Sequence, residues 1–151
     1  MSLLQTIVAV GLAALVVTGG MQYVSGDAQV RSKIATQADG GFGALESAYR
    51  ARQAAGAAAP ATADWETALF PTYGTRPADV RALGWSYGNT AKGVWFCLSG
   101  PLKEPVARTA LEGMAKRYAT GLFDVTSDCE AAGGAPDQRI AATLWMQRAK
   151  E

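Results

Sequence analysis

The 151-residue chain contains no histidine and only two cysteines. Without imidazole there is no His-ligated metal, no Ser-His-Asp or Cys-His catalysis and no imidazole pH switch. Two thiols are too few for an all-cysteine zinc site or an iron–sulfur cluster, each of which takes four. Excess charge is missing as well. The 14 Lys and Arg against 13 Asp and Glu leave a net +1, which gives no electrostatic pull toward nucleic acid or an anionic membrane. The length suits one domain with a modest core.

A further absence is local. No charged residue precedes Asp27, and the stretch from Leu3 to Val24 is almost wholly apolar. As a helix these roughly 22 residues would be about 33 Å long, the thickness of a bilayer's hydrocarbon core. The run is too long and too apolar for an amphipathic surface helix. A signal peptide or a simple anchor is the plain alternative, but a signal peptide carries a cationic segment first, and no Lys or Arg precedes Arg31. The continuation from Asp27 is polar and compatible with a helix. Val30 and Ile34 keep i, i+4 spacing, and Leu45, Ala48, Tyr49 and Arg52 resume it after Gly40-Gly41-Phe42-Gly43. These spacings predict one long N-terminal helix, apolar then amphipathic, ending near Ala54-Ala55-Gly56. At about 80 Å it would exceed the width of the domain, so half of it would project.

Met1-Ser2-Leu3-Leu4-Gln5-Thr6-Ile7 followed by that apolar run resembles the start of a mature type IV pilin. The Met-Ser-Leu-Leu opening is closer to the type IVb branch, which includes subunits of thin conjugative pili, than to the Phe-Thr-Leu opening of type IVa. The resemblance is specific over roughly the first 25 residues and architectural beyond them. It implies removal of a short charged leader by prepilin peptidase, which fits the missing cationic segment, and a methylated N-terminus. Residues 1–25 would sit in the inner membrane and then in the filament core, residues 1–55 would form the helix, and 56–151 the head. Met1, Gln5 and Thr6 would take part in filament assembly, and the helix would open near Gly19 and Gly20, where intrahelical bonds are weakest. Pilins characteristically place a glutamate where this chain has Gln5; an amide still accepts a hydrogen bond from an ammonium group but brings no charge.

The rest of the chain reads as an α+β head: a small antiparallel sheet packed on the long helix, with a second helix. Ala54 to Ala63 is a low-complexity connector. Asp64–Phe70 is a short helix, with Thr62 as N-cap and Pro71 as stop. Residues 72–83 are loop with a helical turn after Pro77. Trp85–Tyr87 and Gly93–Leu98 are strands around a turn at Gly88–Lys92. Pro105 opens a helix of about four turns that carries Val106, Ala110, Met114 and Tyr118 on one face. Leu122–Val125 and Arg139–Met146 are the last strands.

Cys97 lies in an apolar strand and Cys129 in the polar stretch Thr126-Ser127-Asp128-Cys129-Glu130. They are either two unrelated thiols or, given an export-type N-terminus, a disulfide made in an oxidising compartment. In a pilin that bridge ties the C-terminal region to the sheet. Other chemistry is sparse. Gly88–Gly93 contains a lysine at the wrong spacing for a phosphate loop, no Gly-x-Ser-x-Gly elbow occurs, and Gly40–Gly43 follows no strand. Asp124, Asp128 and Glu130 read as a solvated acidic loop. Trp65, Trp85, Trp95 and Trp145 lie in apolar segments and read as core. No catalytic residue, metal or cofactor is expected, and no specific nucleic acid.

The expectation is therefore a structural subunit that forms a helical homopolymer, an extracellular pilus, after residence in the inner membrane. Its partners would be the assembly machinery and prepilin peptidase, and then a host or recipient cell surface or phage. A minor pilin or pseudopilin at a filament tip is one alternative. A single-pass, membrane-anchored periplasmic ligand-binding protein that never polymerises is the other.

Overall fold

A computed structural model describes residues 26–130 and 138–149. The chain divides into two compact units, residues 1–30 and residues 31–151. Met1, Gln5, Thr6, Gly19 and Gly20, with the whole apolar run, lie outside the described residues. No helix among the described residues is long and apolar enough to cross a membrane.

Helix α1 covers Gly26–Ala54, 29 residues, and buries Ile34, Ala38, Gly41, Phe42, Leu45, Ala48 and Tyr49. That spacing of three and four is one helical stripe, and it decides which face meets the sheet. The glycine cluster does not interrupt the helix. Gly41 lies against the indole of Trp85, where a Cβ would stand 2.1 Å from Cζ2. Its missing side chain lets α1 approach the sheet closely enough for Phe42 to set its ring edge-on to Trp85, centroids 4.9 Å apart.

The sheet has four antiparallel strands in the order β1-β2-β4-β3, with β1 at Gly84–Thr90, β2 at Gly93–Pro101, β3 at Phe123–Thr126 and β4 at Arg139–Arg148. The fold is α+β, with a long helix before a small antiparallel sheet, as the sequence predicts. The turn between β1 and β2 is shorter than expected. Strand pairing runs out to Thr90 opposite Gly93, so Ala91-Lys92 alone make the turn, and Gly88-Asn89-Thr90 belong to the strand. Strand β2 is buried at Val94–Leu98 on both faces, which explains its unbroken apolar run. Tyr49 and Phe42 of α1 reach Phe96 and Phe123 on one face. Trp95, Cys97, Ala141 and Trp145 form a second cluster.

Helix α2 is the single turn and a half Trp65–Leu69. Thr62 does not cap it; the preceding Asp64 makes no side-chain cap either, and the Thr62 hydroxyl accepts the backbone N–H of Asn89 at 3.0 Å. The connector is held to β1 by that bond and by Tyr87 Oη, which donates to the Pro60 carbonyl at 2.9 Å. Trp65 stacks on Tyr87 with centroids 6.0 Å apart. Phe70-Pro71 is a cis peptide, and the helix ends there.

No helical turn follows Pro77. Val80 and Leu83 instead exchange backbone hydrogen bonds of 3.0 Å across Arg81-Ala82, with Arg81 at a φ of 56°. The reversal buries Val80 and Leu83 side by side and leaves Arg81 and Ala82 exposed. Helix α3, Pro105–Ala115, buries Ala107, Ala110, Leu111 and Met114. It stops one turn before Tyr118, whose ring leaves the helical path to stack on Phe123 at 4.7 Å.

Candidate functional site

The described polar chemistry gathers on the sheet face that carries Trp95, Cys97 and Trp145. Alternation along β2 turns Trp95 and Cys97 to one face while Phe96 and Leu98 turn to the other. Cys97 is fully buried and forms a disulfide with Cys129, across 32 residues of sequence. Hydroxyls flank the two sulfurs: Thr143 Oγ1 donates to Cys97 Sγ at 3.5 Å, and Ser86 Oγ lies 3.6 Å from Cys129 Sγ. The pairing implied by the resemblance is thus the pairing present, and it fastens the segment after β3 onto the sheet.

Glu130 continues this fastening. One carboxylate oxygen, Oε1, accepts the indole N–H of Trp95 at 2.8 Å and the hydroxyl of Thr90. The bond from Thr90, then that from Trp95, hold the Glu130 carboxyl below the usual range, with a smaller contribution from Lys92. Glu130 sits at a φ of 66°, a left-handed conformation that a side chain with a Cβ adopts at some cost, and these contacts retain it there. Gly88 makes the arrangement possible from below. A Cβ there would stand 2.2 Å from Trp95 Cζ2, so the indole lies flat over the glycine and aims its N–H at Glu130.

The other two acids also differ from a solvated loop. Asp124 Oδ2 accepts the indole N–H of Trp145 at 3.0 Å and faces Arg148 Nη1 at 3.5 Å. Asp128 Oδ1 accepts the backbone N–H of Cys129 at 2.9 Å. Each acid is half-buried and bound to its own donor. No group of three or more His, Cys, Asp or Glu among the described residues is placed to hold a metal. The four tryptophans are core residues, each between 6% and 8% exposed.

A second feature lies at the other end of the head. A cavity of about 310 Å³ has Ile34, Val80, Leu83, Pro101 and Ala107 in its apolar wall, and Arg81, Lys103 and Glu104 along it. Arg81 Nη2 donates to Glu104 Oε1, tying the Val80–Leu83 reversal to the start of α3.

The sequence pattern marks both cysteines and puts Glu130 in a solvated loop, where the structure instead bonds it to Thr90 and Trp95; it gives no sign of the Arg81 pairing or of the cavity. Glu130 meets partners 35 and 40 residues away, a pairing that only the strand register creates. Arg81 and Glu104 lack helical spacing and carried no local signal. Comparison of the chain with protein-family models, with curated proteins and with solved structures found no match in any of the three.

Proposed function

We propose that the chain is a structural subunit of an extracellular helical filament of the type IV pilin kind. The observation that carries the reading is the charge-free apolar run before Asp27, followed in sequence by a helix that buries one face on a small disulfide-bonded head. Such a run is costly to expose outside a bilayer, and bundling many copies side by side buries it again. The head would form the outer shell. Its contacts support that role: the disulfide, the Glu130 hydrogen bonds and the pinned connector each hold a loop to the sheet.

Negative-stain images of material sheared from producing cells test the reading. Filaments that contain this chain, absent from cells lacking it, are the expected result. A chain that stays with the inner membrane and never appears in sheared material would leave the membrane-anchored, non-polymerising protein in its place. Gln5 favours a second reading, a minor subunit at a tip, because the usual assembly acid is missing.

A further inference from the structure

The disulfide presents its two sulfurs unequally. Cys97 stands in β2 between Ser86 of β1 and Thr143 of β4, and no part of it reaches solvent. Trp95, Ala141 and Trp145 are buried with it, and the partly exposed Cys129 packs against that cluster. Thiol–disulfide exchange starts when a thiolate attacks one of the two sulfurs, and access helps decide which. A nucleophile from solvent cannot reach Cys97 while the head stays folded, whereas Cys129 lies in the segment that follows the edge strand β3. The other end of the bond favours the same direction. The Thr143 hydroxyl, on a residue only 2% exposed, donates to Cys97 Sγ at 3.5 Å. Burial by itself disfavours a thiolate, and a donor aimed at the departing sulfur offsets part of that penalty.

We infer that Cys129 is the exchange site of this disulfide, the sulfur at which an external thiol or disulfide enters and leaves. In reduction the attacking thiolate bonds to Cys129 Sγ, the Cys97–Cys129 bond breaks, and Cys97 departs as a thiolate that takes up a proton. A second external thiol then displaces Cys129, so two thiols are oxidised to one disulfide as the protein bond is reduced. Formation runs the other way. The Cys129 thiolate attacks an external disulfide, and Cys97 resolves the mixed disulfide by attacking Cys129 Sγ. Between the two steps Glu130, the next residue, holds Cys129 over Cys97 through its bonds to Trp95 and Thr90, which involve no sulfur. The assignment does not depend on the filament reading.

The test incubates the full wild-type chain in detergent with reduced glutathione and quenches in acid. Free thiols are then alkylated under denaturing conditions and the peptides mapped by mass spectrometry. Glutathione on the Cys129 peptide with alkylated Cys97, about tenfold or more over the reverse pattern, is the expected result. Thr143→Val is expected to slow loss of the bond several-fold, and Thr143→Ser, which keeps the donor, to restore the rate. Glutathione carried equally by both cysteines, or mainly by Cys97, overturns the assignment. So does a bond that yields no adduct until denaturant is added, because exchange would then require the head to open first. An unchanged rate for Thr143→Val overturns the part given to its hydroxyl.

Discussion

Gly41 and Gly43 stand two residues apart in α1, and substitution by alanine acts on them in opposite directions. A helix interior favours alanine over glycine by up to about 1 kcal/mol. At Gly43 nothing lies within 4 Å of the added Cβ, so Gly43→Ala is expected to stabilise the unassembled protein by up to about that amount. At Gly41 the new methyl meets the Trp85 indole, which cannot retreat because it is 6% exposed and its N–H donates to the Ala78 carbonyl at 2.9 Å. Overpacking of this kind costs about 1–3 kcal/mol, more than the helix gains. Denaturant midpoints of the two variants check the signs; a stabilised Gly41→Ala would show that α1 does not pack on Trp85. Glu130 makes the residue-scale case for pH. Its carboxyl titrates lower in the folded chain than in the unfolded one, so its contribution to stability is complete above the ordinary glutamate pKa of about 4.3 and disappears as pH falls through the folded value. Melting temperatures of the wild type and Glu130→Gln are therefore expected to converge as pH falls below about 4.3 and to separate above it. Parallel curves would mean the Trp95 and Thr90 bonds contribute nothing.

At the scale of elements, the disulfide is what joins the segment after β3 to the centre of the sheet. With its ends 32 positions apart, loop-closure entropy in the unfolded chain corresponds to about 3–4 kcal/mol. Cys129→Ser is expected to lower stability by about that much and to expose the segment around Glu130 to protease first, with fewer filaments as the consequence. Unchanged proteolysis would place the holding force in Glu130 and the acids instead. Helix α3 illustrates a different limit. Its apolar spacing continues to Tyr118, yet the helix ends at Ala115 and the tyrosine ring stacks on Phe123. Periodicity reports which face is apolar, and it cannot report a competing partner elsewhere in the chain.

At the scale of the whole molecule, the filament proposal requires cohesion without the glutamate that pilins characteristically carry where this chain has Gln5. A glutamate in a bilayer costs about 2.5–3.5 kcal/mol near the centre and less toward the interface, and pairing with a neighbour's amine offsets it. An amide lowers both the cost and the gain, so the expected net effect on assembly is small. If the chain polymerises as proposed, it is expected to be the main component of the filament, with side-by-side apolar packing supplying the cohesion. Quantifying subunits in purified filaments checks this, and a filament built mainly of another pilin would make this chain a minor subunit.

What the sequence determined by itself is whatever depends on neighbours along the chain. The stripe of α1 from Ile34 to Tyr49, Pro105 opening α3, the apolar run of β2 and the class of the fold are all legible in spacing of two, three or four residues. The exclusions that follow from having no histidine were legible too. Tertiary structure alone decided that Thr62 serves Asn89 instead of α2, that Glu130 meets Thr90 and Trp95, that Arg81 turns back to Glu104, and that a cavity opens beside Ile34. Each of these joins residues far apart in the chain. Such contacts exist only after the strands have found their register, and no local pattern encodes that register residue by residue.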